Sequence, residues 1–309
     1  MSREQTFIDL LRQIARDPAA RGLADDVALL QFGRTGIILT HDMIVEGVHY
    51  LADDAPQDVA WKLVAVNLSD LAAKGARPLG ILLGYALGPT PEWDSAFVEG
   101  LRLVLDRFDV PLLGGDTVRM PDGAPRAHGV TAIGRANPGG TPSRAGARPG
   151  DCLYVTGRIG AAGLGLAMAR GETDGPDEWL AAYRRPQPRL AEGQALAPLA
   201  HAIADVSDGL LIDTMRIAEA SGLAAEVDLD AVPLPAGAPR HRAARLAAAT
   251  AGDDYELLFA APPGLSLSQP DFAKITAIGR FVRGHGLRLT DAAGEVPLPV
   301  FLGYEHDAP

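Results

Sequence analysis

The chain has one cysteine and no long apolar segment near its start. Of its 309 residues only Cys152 carries a thiol, which excludes an intramolecular disulfide bond and a metal cluster with several cysteine ligands. The opening segment, MSREQTFIDLLRQIARD, carries charges throughout and lacks a run of signal-peptide or membrane-spanning length. We therefore expect a cytoplasmic protein that has no membrane partner.

Positive charge is also scarce. The chain has 28 lysine and arginine residues against 39 aspartate and glutamate residues, which gives a formal net charge of -11 at pH 7. Nucleic acids and anionic membranes are polyanions, so this charge does not steer them to the surface. A phosphate-bearing ligand would need metal ions or backbone amide groups as intermediaries.

The chain is long enough, and apolar enough at 47%, to build two domains with sizeable cores. Segments of helical periodicity alternate with short apolar runs in both halves, which predicts an α/β or α+β class. Residues 138–150 are rich in glycine, proline, serine and arginine, a composition typical of a linker. We therefore predict an N-terminal domain at 1–137 and a C-terminal α/β domain at 151–309.

Acidic residues lie where predicted strands end or glycine turns begin. Asp42 follows a predicted strand at 36–40, and Asp116 follows two glycines after a predicted strand at 110–113. Mg²⁺ prefers oxygen ligands and is usually held by a few carboxylates together with substrate phosphates. This placement therefore indicates a Mg-nucleotide enzyme. The other acidic groups of this kind are Asp25-Asp26, Asp70, Asp205, Asp208 and Asp253-Asp254.

Each acidic group also has a purely structural interpretation. Asp25 and Asp26 could cap a turn or a helix, and Asp70 could form a surface i,i+4 pair with Lys74. The glycine-glycine-aspartate segment could be a tight turn, and the serine before Asp208 could be an ordinary helix N-cap. The residues alone leave these alternatives open.

The order and spacing of eight short strings carry a specific resemblance. They are ADDVALL, LTHDMIVEGVHY, AVNLSDLAAKGARP, LLGGDTVR, SRAGARPGDCLYVTG, ADVSDGLLID, GDDYELLF and FLGYEH, and they span about residue 24 to residue 306. In this the chain resembles the thiamine-monophosphate kinases, a family of aminoimidazole-ribonucleotide-synthetase-like ATP enzymes. The resemblance implies transfer of the γ-phosphoryl group of ATP to thiamine monophosphate, giving thiamine diphosphate. It also implies an N-terminal sheet domain that forms a homodimer and a C-terminal α/β domain that closes the site.

The resemblance also implies site residues, each at a position that matches a family motif. The implied magnesium ligands are Asp26, Thr40, His41, Asp42, Asp70, Asp116, Asp205 and Asp208. The implied ATP contacts are Gly115, Asp116, Arg144 and Ser207, and the implied substrate contacts are His49, Asp253 and Tyr304.

Three positions depart from the family pattern. His41 stands where threonine is usual, Asp253 where glutamate is usual and Ala24 where glycine is usual. The first change removes a threonine side chain next to Asp42 but keeps a backbone carbonyl as a possible metal ligand. The second keeps the negative charge and shortens its reach by one methylene group.

The implied reaction needs no covalent or general-base residue, because a monophosphate acceptor is already ionised near neutral pH. Several Mg²⁺ ions would neutralise the repulsion between two polyanions and align the in-line attack. Structural roles stay open for three residues: Arg144 on the surface, and His49 and Tyr304 in the core. Two other functions also stay open, namely a different ATP-dependent enzyme of the same superfamily and a catalytically silent Mg-ATP-binding module.

Overall fold

A computed structural model describes residues 3–265, 270 and 272–305. Within this part of the chain the strands form one five-stranded and one seven-stranded sheet. The mixed α/β class predicted from the sequence is confirmed. Residues 306–309, which include His306 of the FLGYEH string, lie outside the described residues.

The first sheet is built by the N-terminal half. Its strand order is β1-β2-β5-β3-β4, with antiparallel neighbours except for the parallel pair β3 and β4. Its strands are β1 (Ala28–Phe32), β2 (Thr35–Val45), β3 (Arg77–Ala86), β4 (Leu112–Val118) and β5 (Ala127–Arg135). The helices of this half are α1 (Arg3–Arg12), a short 3-10 helix (Pro18–Leu23), α2 (Pro56–Ala73) and α3 (Pro91–Phe108).

The second sheet is built by the C-terminal half, in the order β12-β11-β8-β10-β6-β9-β7. Its strands are β6 (Cys152–Thr156), β7 (Ala202–Asp205), β8 (Ala224–Asp228), β9 (Leu257–Ala261), β10 (Ile275–Val282), β11 (Gly286–Asp291) and β12 (Gly294–Val296). The helices are α4 (Ala161–Ala169), α5 (Asp177–Arg184), α6 (Leu190–Leu196), α7 (Leu210–Ala220) and α8 (Arg242–Thr250).

Helix α2 lies between the two halves. Pro56 stands at its first position, where a missing N–H costs no helical hydrogen bond. Its apolar residues pack on β2, β3 and β5, while its last turns contact α6 and β7 of the other half. The contact with α6 is close, since a Cβ atom on Gly193 would lie 2.0 Å from the Ala72 carbonyl oxygen. The helix is therefore buried along almost its whole length, polar residues included.

Two strand ends predicted from the sequence are wrong, and both errors concern acidic residues. β2 runs on past residue 40 because β5 pairs with it as far as Val45, so Asp42 lies inside the strand. β4 likewise includes Gly115 and Asp116. A Cβ atom at Gly115 would lie 1.9 Å from the Leu83 carbonyl oxygen, so the glycine permits close pairing with β3 instead of ending the strand.

Other sequence predictions were incomplete. The sequence predicts a helix at 189–201, which is shorter in the structure as α6, and it does not predict β1, β7, β11, β12, α5 or α8. The domain limits at residues 137 and 151 stay a prediction, although the two sheets fall on either side of them. No helix in the described part of the chain has both the length and the apolar character needed to cross a membrane.

Candidate active site

Three carboxylates meet where α2 passes between the two sheets. Asp42 comes from β2, Asp70 from α2 and Asp205 from the end of β7. We call these three residues the acidic cluster. The charges of Asp42 and Asp205 raise the pKa of Asp70, the charge of Asp42 raises the pKa of Asp205, and a side-chain hydrogen bond with Asp70 lowers the pKa of Asp42. The structure thus brings together three acids that are far apart in the sequence.

Polar side chains of α2 hold the acidic cluster in place. The Asn67 amide oxygen accepts the backbone N–H of Asp42 at 2.9 Å, and the Ser69 hydroxyl donates to Asp205 at 2.5 Å. The hydroxyl of Thr40, on the same face of β2 as Asp42, donates to Asp70. Two residues of one helix, Asn67 and Ser69, therefore bond the backbone of a strand in the first sheet and a carboxylate in the second.

The acidic cluster resists ionisation. Burial raises the pKa of Asp42 and of Asp205 to about 6, and the charge of Asp26 adds to both increases. Burial and the neighbouring charges of Asp42 and Asp205 raise the pKa of Asp70 well above its ordinary value. Among the described residues, none of the three carboxylates has a lysine or arginine side chain within ion-pair distance. The cluster therefore lacks a direct ion pair with a protein cation, although the charge of Arg144 lowers the pKa of Asp205.

The donor atoms of this region fit magnesium. They are carboxylate oxygens with a threonine hydroxyl, the hard ligands that this ion prefers. In the described residues no three His, Cys, Asp or Glu side chains converge closely enough to hold a metal by themselves. Mg²⁺ does not require such a cage, because it usually keeps water molecules and takes substrate phosphates as ligands.

Asp26 and Asp208 flank the acidic cluster, and each has an arginine partner. The Arg144 guanidinium pairs with Asp26, and Arg216 bonds Asp208 at 2.6 Å. Arg216 also reaches the buried Asp213 at 2.8 Å. The interpretation of Arg144 as a free surface residue is wrong, because its side chain is only 14% exposed.

Asp25 is part of the scaffold. It accepts hydrogen bonds from Lys74 Nζ at 2.6 Å and from the Arg144 backbone N–H at 2.9 Å, and it forms an ion pair with Arg21 Nε at 2.7 Å. The interpretation of Asp70 as a surface ion-pair partner of Lys74 is therefore wrong. Both residues are buried, and the lysine turns to Asp25 instead.

The segment around Ser207 forms a loop, and the N-cap interpretation is wrong. Helix α7 begins after Gly209 without a side-chain cap, and the Asp213 side chain accepts the N–H groups of Asp208 and Gly209 at 3.2 Å each. The Ser207 carbonyl accepts the Asp253 N–H, and the Asp208 carbonyl accepts the Tyr304 N–H, both at 2.8 Å. This loop thus joins predicted ATP, metal and substrate positions.

Two of the predicted substrate residues meet around a lysine that the sequence interpretation missed. Lys62 Nζ donates to Asp253 Oδ2 at 2.7 Å and to the His49 carbonyl at 2.8 Å. The Tyr255 hydroxyl donates to the other oxygen of Asp253 at 3.0 Å. A lysine among the apolar residues of α2 was the available signal, since a buried ammonium group needs a partner.

Three predicted site residues are not brought to the acidic cluster within one chain. The side chain of His41 points to the other face of β2, where its Nδ1 lies 2.9 Å from the Thr131 hydroxyl. Gly115 and Asp116 lie on β4, the exposed edge strand. Register aligns Asp42 with Gly115 across β5 and β3, a separation of three strand spacings or about 14 Å.

The chain matches two family models. Residues 24–136 match the AIR synthase related protein N-terminal domain, and residues 148–291 match the corresponding C-terminal domain. Among curated proteins, the thiamine-monophosphate kinase of Caulobacter vibrioides is 41% identical, over 96% of this chain and 88% of that protein. The same enzyme of Salmonella typhimurium is also 41% identical, over 83% of this chain and 80% of that protein.

Several solved structures are also similar to this chain. The thiamine-monophosphate kinase of Stenotrophomonas maltophilia is 35% identical, with a TM-score of 0.75 over 92% of this chain and 94% of that one. A structure of AaThiL complexed with AMPPCP and TMP is 26% identical, with a TM-score of 0.83 over 99% of both chains. A hydrogenase maturation protein HypE in complex with ATP, at 19% identity and a TM-score of 0.71 over 99% of this chain and 96% of that one, shares the fold alone.

Proposed function

Because the chain belongs to the thiamine-monophosphate kinase family, we propose that it transfers the γ-phosphoryl group of ATP to thiamine monophosphate. The products are ADP and thiamine diphosphate. The observation that carries this proposal is the acidic cluster, whose carboxylates, largely withdrawn from water, form no direct ion pair with a lysine or arginine among the described residues. Burying such groups costs free energy unless an external cation joins them, which is the condition for a bound metal.

The metal site that we propose is centred on the acidic cluster with Thr40, and includes Asp26 and Asp208. Magnesium ions bound there would place positive charge between the phosphates of ATP and the incoming phosphate of the acceptor. The protein itself orients the ligands, since Asn67 and Ser69 fix Asp42 and Asp205. No described side chain has to act as a covalent nucleophile or general base in this proposal.

We propose that ATP contacts the loop before α7, which carries Ser207, and the side chain of Arg144. Ser207 lies at this loop, beside the N-terminus of α7, where the helix dipole favours an anion. Arg144 is held beside Asp26 and can turn its guanidinium to a phosphate, for which arginine provides two parallel donors. We therefore retain both residues as proposed ATP contacts.

Gly115 and Asp116 point to a homodimer. Their distance from Asp42 within one chain excludes a shared metal or phosphate, so we propose that they serve the site of a second copy. Strand β4 is exposed along its whole length, and Leu112, Leu113 and Val118 are exposed on it. An open edge of this kind normally needs a cover. Dimerisation through the first sheet would provide it.

The substrate site that we propose combines His49, Asp253 and Tyr304. Asp253 supplies negative charge for the cationic thiazolium ring, and the half-exposed Tyr304 supplies an aromatic surface. The cytoplasmic location, the linker at 138–150 and a ligand role for the His41 backbone stay predictions from the sequence.

The experiment that tests the function is turnover of the purified protein with Mg-ATP and thiamine monophosphate, with the products separated. We expect thiamine diphosphate and ADP in a one-to-one ratio, and no thiamine diphosphate after chelation of the metal. A reaction with free thiamine in place of the monophosphate measures acceptor specificity. ATP binding without thiamine diphosphate, under both Mg²⁺ and Mn²⁺, would refute the proposal in favour of a sister ATPase or a silent module.

A further inference from the structure

Lys62 is one of the most buried charged side chains in the described part of the molecule. It is 2% exposed, on a helix whose neighbouring residues are apolar and equally buried. A buried ammonium group is costly unless its donors are all used. Here they are directed at Asp253 Oδ2 (2.7 Å) and the His49 carbonyl (2.8 Å), and the Tyr183 ring lies 4.2 Å away.

The partners of Lys62 come from both halves of the molecule. His49 belongs to the N-terminal half, whereas Asp253 and Tyr183 belong to the C-terminal half. The Tyr183 hydroxyl also donates to Asp54 at 3.0 Å, and Asp54 accepts the Leu51 N–H at 2.8 Å. The loop that carries His49 is therefore fastened to the same tyrosine that covers the lysine.

Asp253 is fixed in one orientation. Its two carboxylate oxygens are taken by Lys62 and by the Tyr255 hydroxyl, and its N–H bonds the Ser207 carbonyl. Its backbone adopts a left-handed conformation with φ 68°, which is uncommon for residues other than glycine but which aspartate adopts more readily than most. With a side chain one methylene shorter than glutamate, Asp253 depends on these neighbours to present its charge at a defined place.

We propose that Lys62 is a positioning residue of the thiamine-monophosphate site. It joins the Asp253 carboxylate to the His49 peptide, and so sets the spacing of two residues from different halves that face the same ligand. This inference rests on the proposed function and deepens it.

The contacts of Lys62 predict a selective effect. None of them belongs to the acidic cluster or to the proposed ATP contact Arg144. Removal of the lysine should therefore weaken the acceptor site and leave ATP binding intact. A residue needed only for folding would instead lower activity with both substrates in proportion to the folded fraction.

The test compares steady-state kinetics of the wild type with those of Lys62→Met. Loss of a hydrogen bond between charged groups should raise KM for thiamine monophosphate roughly ten- to a hundredfold, with KM for ATP changed less than about twofold. Lys62→Arg retains the charge and should recover most of the loss. Lys274→Met removes the same charge from an exposed lysine and should match the wild type. If Lys62→Met does not fold, Lys62→Gln replaces it, since its amide can still donate to His49.

A double-mutant cycle on KM for thiamine monophosphate completes the test. If Lys62 acts through Asp253, Lys62→Met combined with Asp253→Asn should be no worse than the more impaired single variant. If the fold-changes in KM of the two single variants multiply in the double variant, the residues act independently and the inference is overturned. A folded Lys62→Met variant with an unchanged KM would also overturn it. A wild-type protein that forms no thiamine diphosphate refutes the proposed function itself, so the two failures are distinguishable.

Discussion

Two acidic regions of this protein are buried to a similar degree but are built in opposite ways. In the acidic cluster the carboxylates of Asp70 and Asp205 accept hydroxyl groups, an amide oxygen holds the backbone N–H of Asp42, and none of the three forms a direct ion pair with a cation. In the segment from Asp253 to Glu256 two of the three carboxylates pair with a cation, and the third accepts backbone N–H groups. Lys62 bonds Asp253, the Gly160 N–H bonds Asp254 at 2.7 Å, and Arg189 forms a bidentate pair with Glu256 at 2.5 and 2.6 Å.

The difference separates the proposed metal site, whose charges are not paired, from a neighbouring region in which most of the charges are paired. A carboxylate that already has a cation is internally neutralised and can serve as a rigid element. A group of carboxylates without one stays partly protonated, or repels itself, until an external cation arrives. The sequence presents the members of both regions simply as acidic residues, and only their partners in the structure distinguish the two regions.

The largest effect that tests this comparison should come from Asp42→Asn. Removing one metal ligand should lower kcat at least about a thousandfold, because the bound ion stabilises transition-state charge by several kcal/mol. The thermal midpoint should stay the same or rise without magnesium, since a buried charge that resists ionisation is lost. Asp122→Asn is a matched control, with a side chain that is 97% exposed. Full activity of Asp42→Asn would remove this residue from the proposed site.

Glu256→Gln tests the supporting region. It breaks a buried ion pair with Arg189 and weakens the hydrogen bond from the Thr156 hydroxyl, which is 2.7 Å long. We expect the free energy of unfolding to fall by about 3 kcal/mol, the low end for such pairs because Arg189 keeps some contact with water. Urea denaturation measures it. Glu226→Gln, in a more exposed pair with Arg280, should cost less than about 1 kcal/mol. Equal losses in the two variants would contradict the comparison.

Arg144→Met tests a residue beside the acidic cluster whose carboxylate neighbour, Asp26, does have a cation partner. The change leaves Asp26 without its arginine and removes a proposed phosphate donor. We expect KM for ATP to rise about tenfold, the value of one hydrogen bond between charged groups, while KM for thiamine monophosphate stays constant. Arg135→Met, at the exposed end of β5, serves as the control. A rise in both KM values would instead indicate a general disturbance of the site.

Asp254→Asn gives the smallest effect and concerns pH. Burial raises the pKa of Asp254 to about 8, although the N–H groups of Gly160 and Ala162 oppose the increase. The protonated form is thus favoured in the folded state, and its stabilisation is complete below pH 4 and lost as pH rises to 8. We expect wild-type stability to fall by about 1 kcal/mol more than that of the variant between pH 6 and pH 7. Identical slopes in urea titrations at the two pH values would contradict this.

The sequence predicted the fold class because motif order and periodicity are local properties of the chain. Helix α2 and strand β6 were placed within a few residues for that reason. Strand ends were harder, since β2 continues past Asp42 only because β5 extends beside it. A strand that depends on a partner some ninety positions further along carries no local signal of its length.

The partners of the site residues could not be predicted. Lys62 and Asp253 are separated by 191 positions, and Ser69 and Asp205 by 136. Nothing in either short segment indicates the other, so the lysine was passed over and Lys74 was paired with its neighbour Asp70. The kind of site was easier to infer. Carboxylates near glycines and strand ends suggest magnesium regardless of which of them come together in the fold.

Helix α2 has a consequence for how this protein can be divided. Trp61 Nε1 bonds the Pro186 carbonyl at 2.9 Å, and Lys62 and Ser69 bond Asp253 and Asp205, all across the junction between the halves. A cut in the segment 138–150 would leave the first fragment with a lysine and a tryptophan exposed on a helix shaped for burial. The second fragment would lose the donors for two of its carboxylates. The two halves therefore depend on each other for folding. A chimera that takes one half from a relative should fold only when α2 and the residues of the other half that contact it come from the same protein.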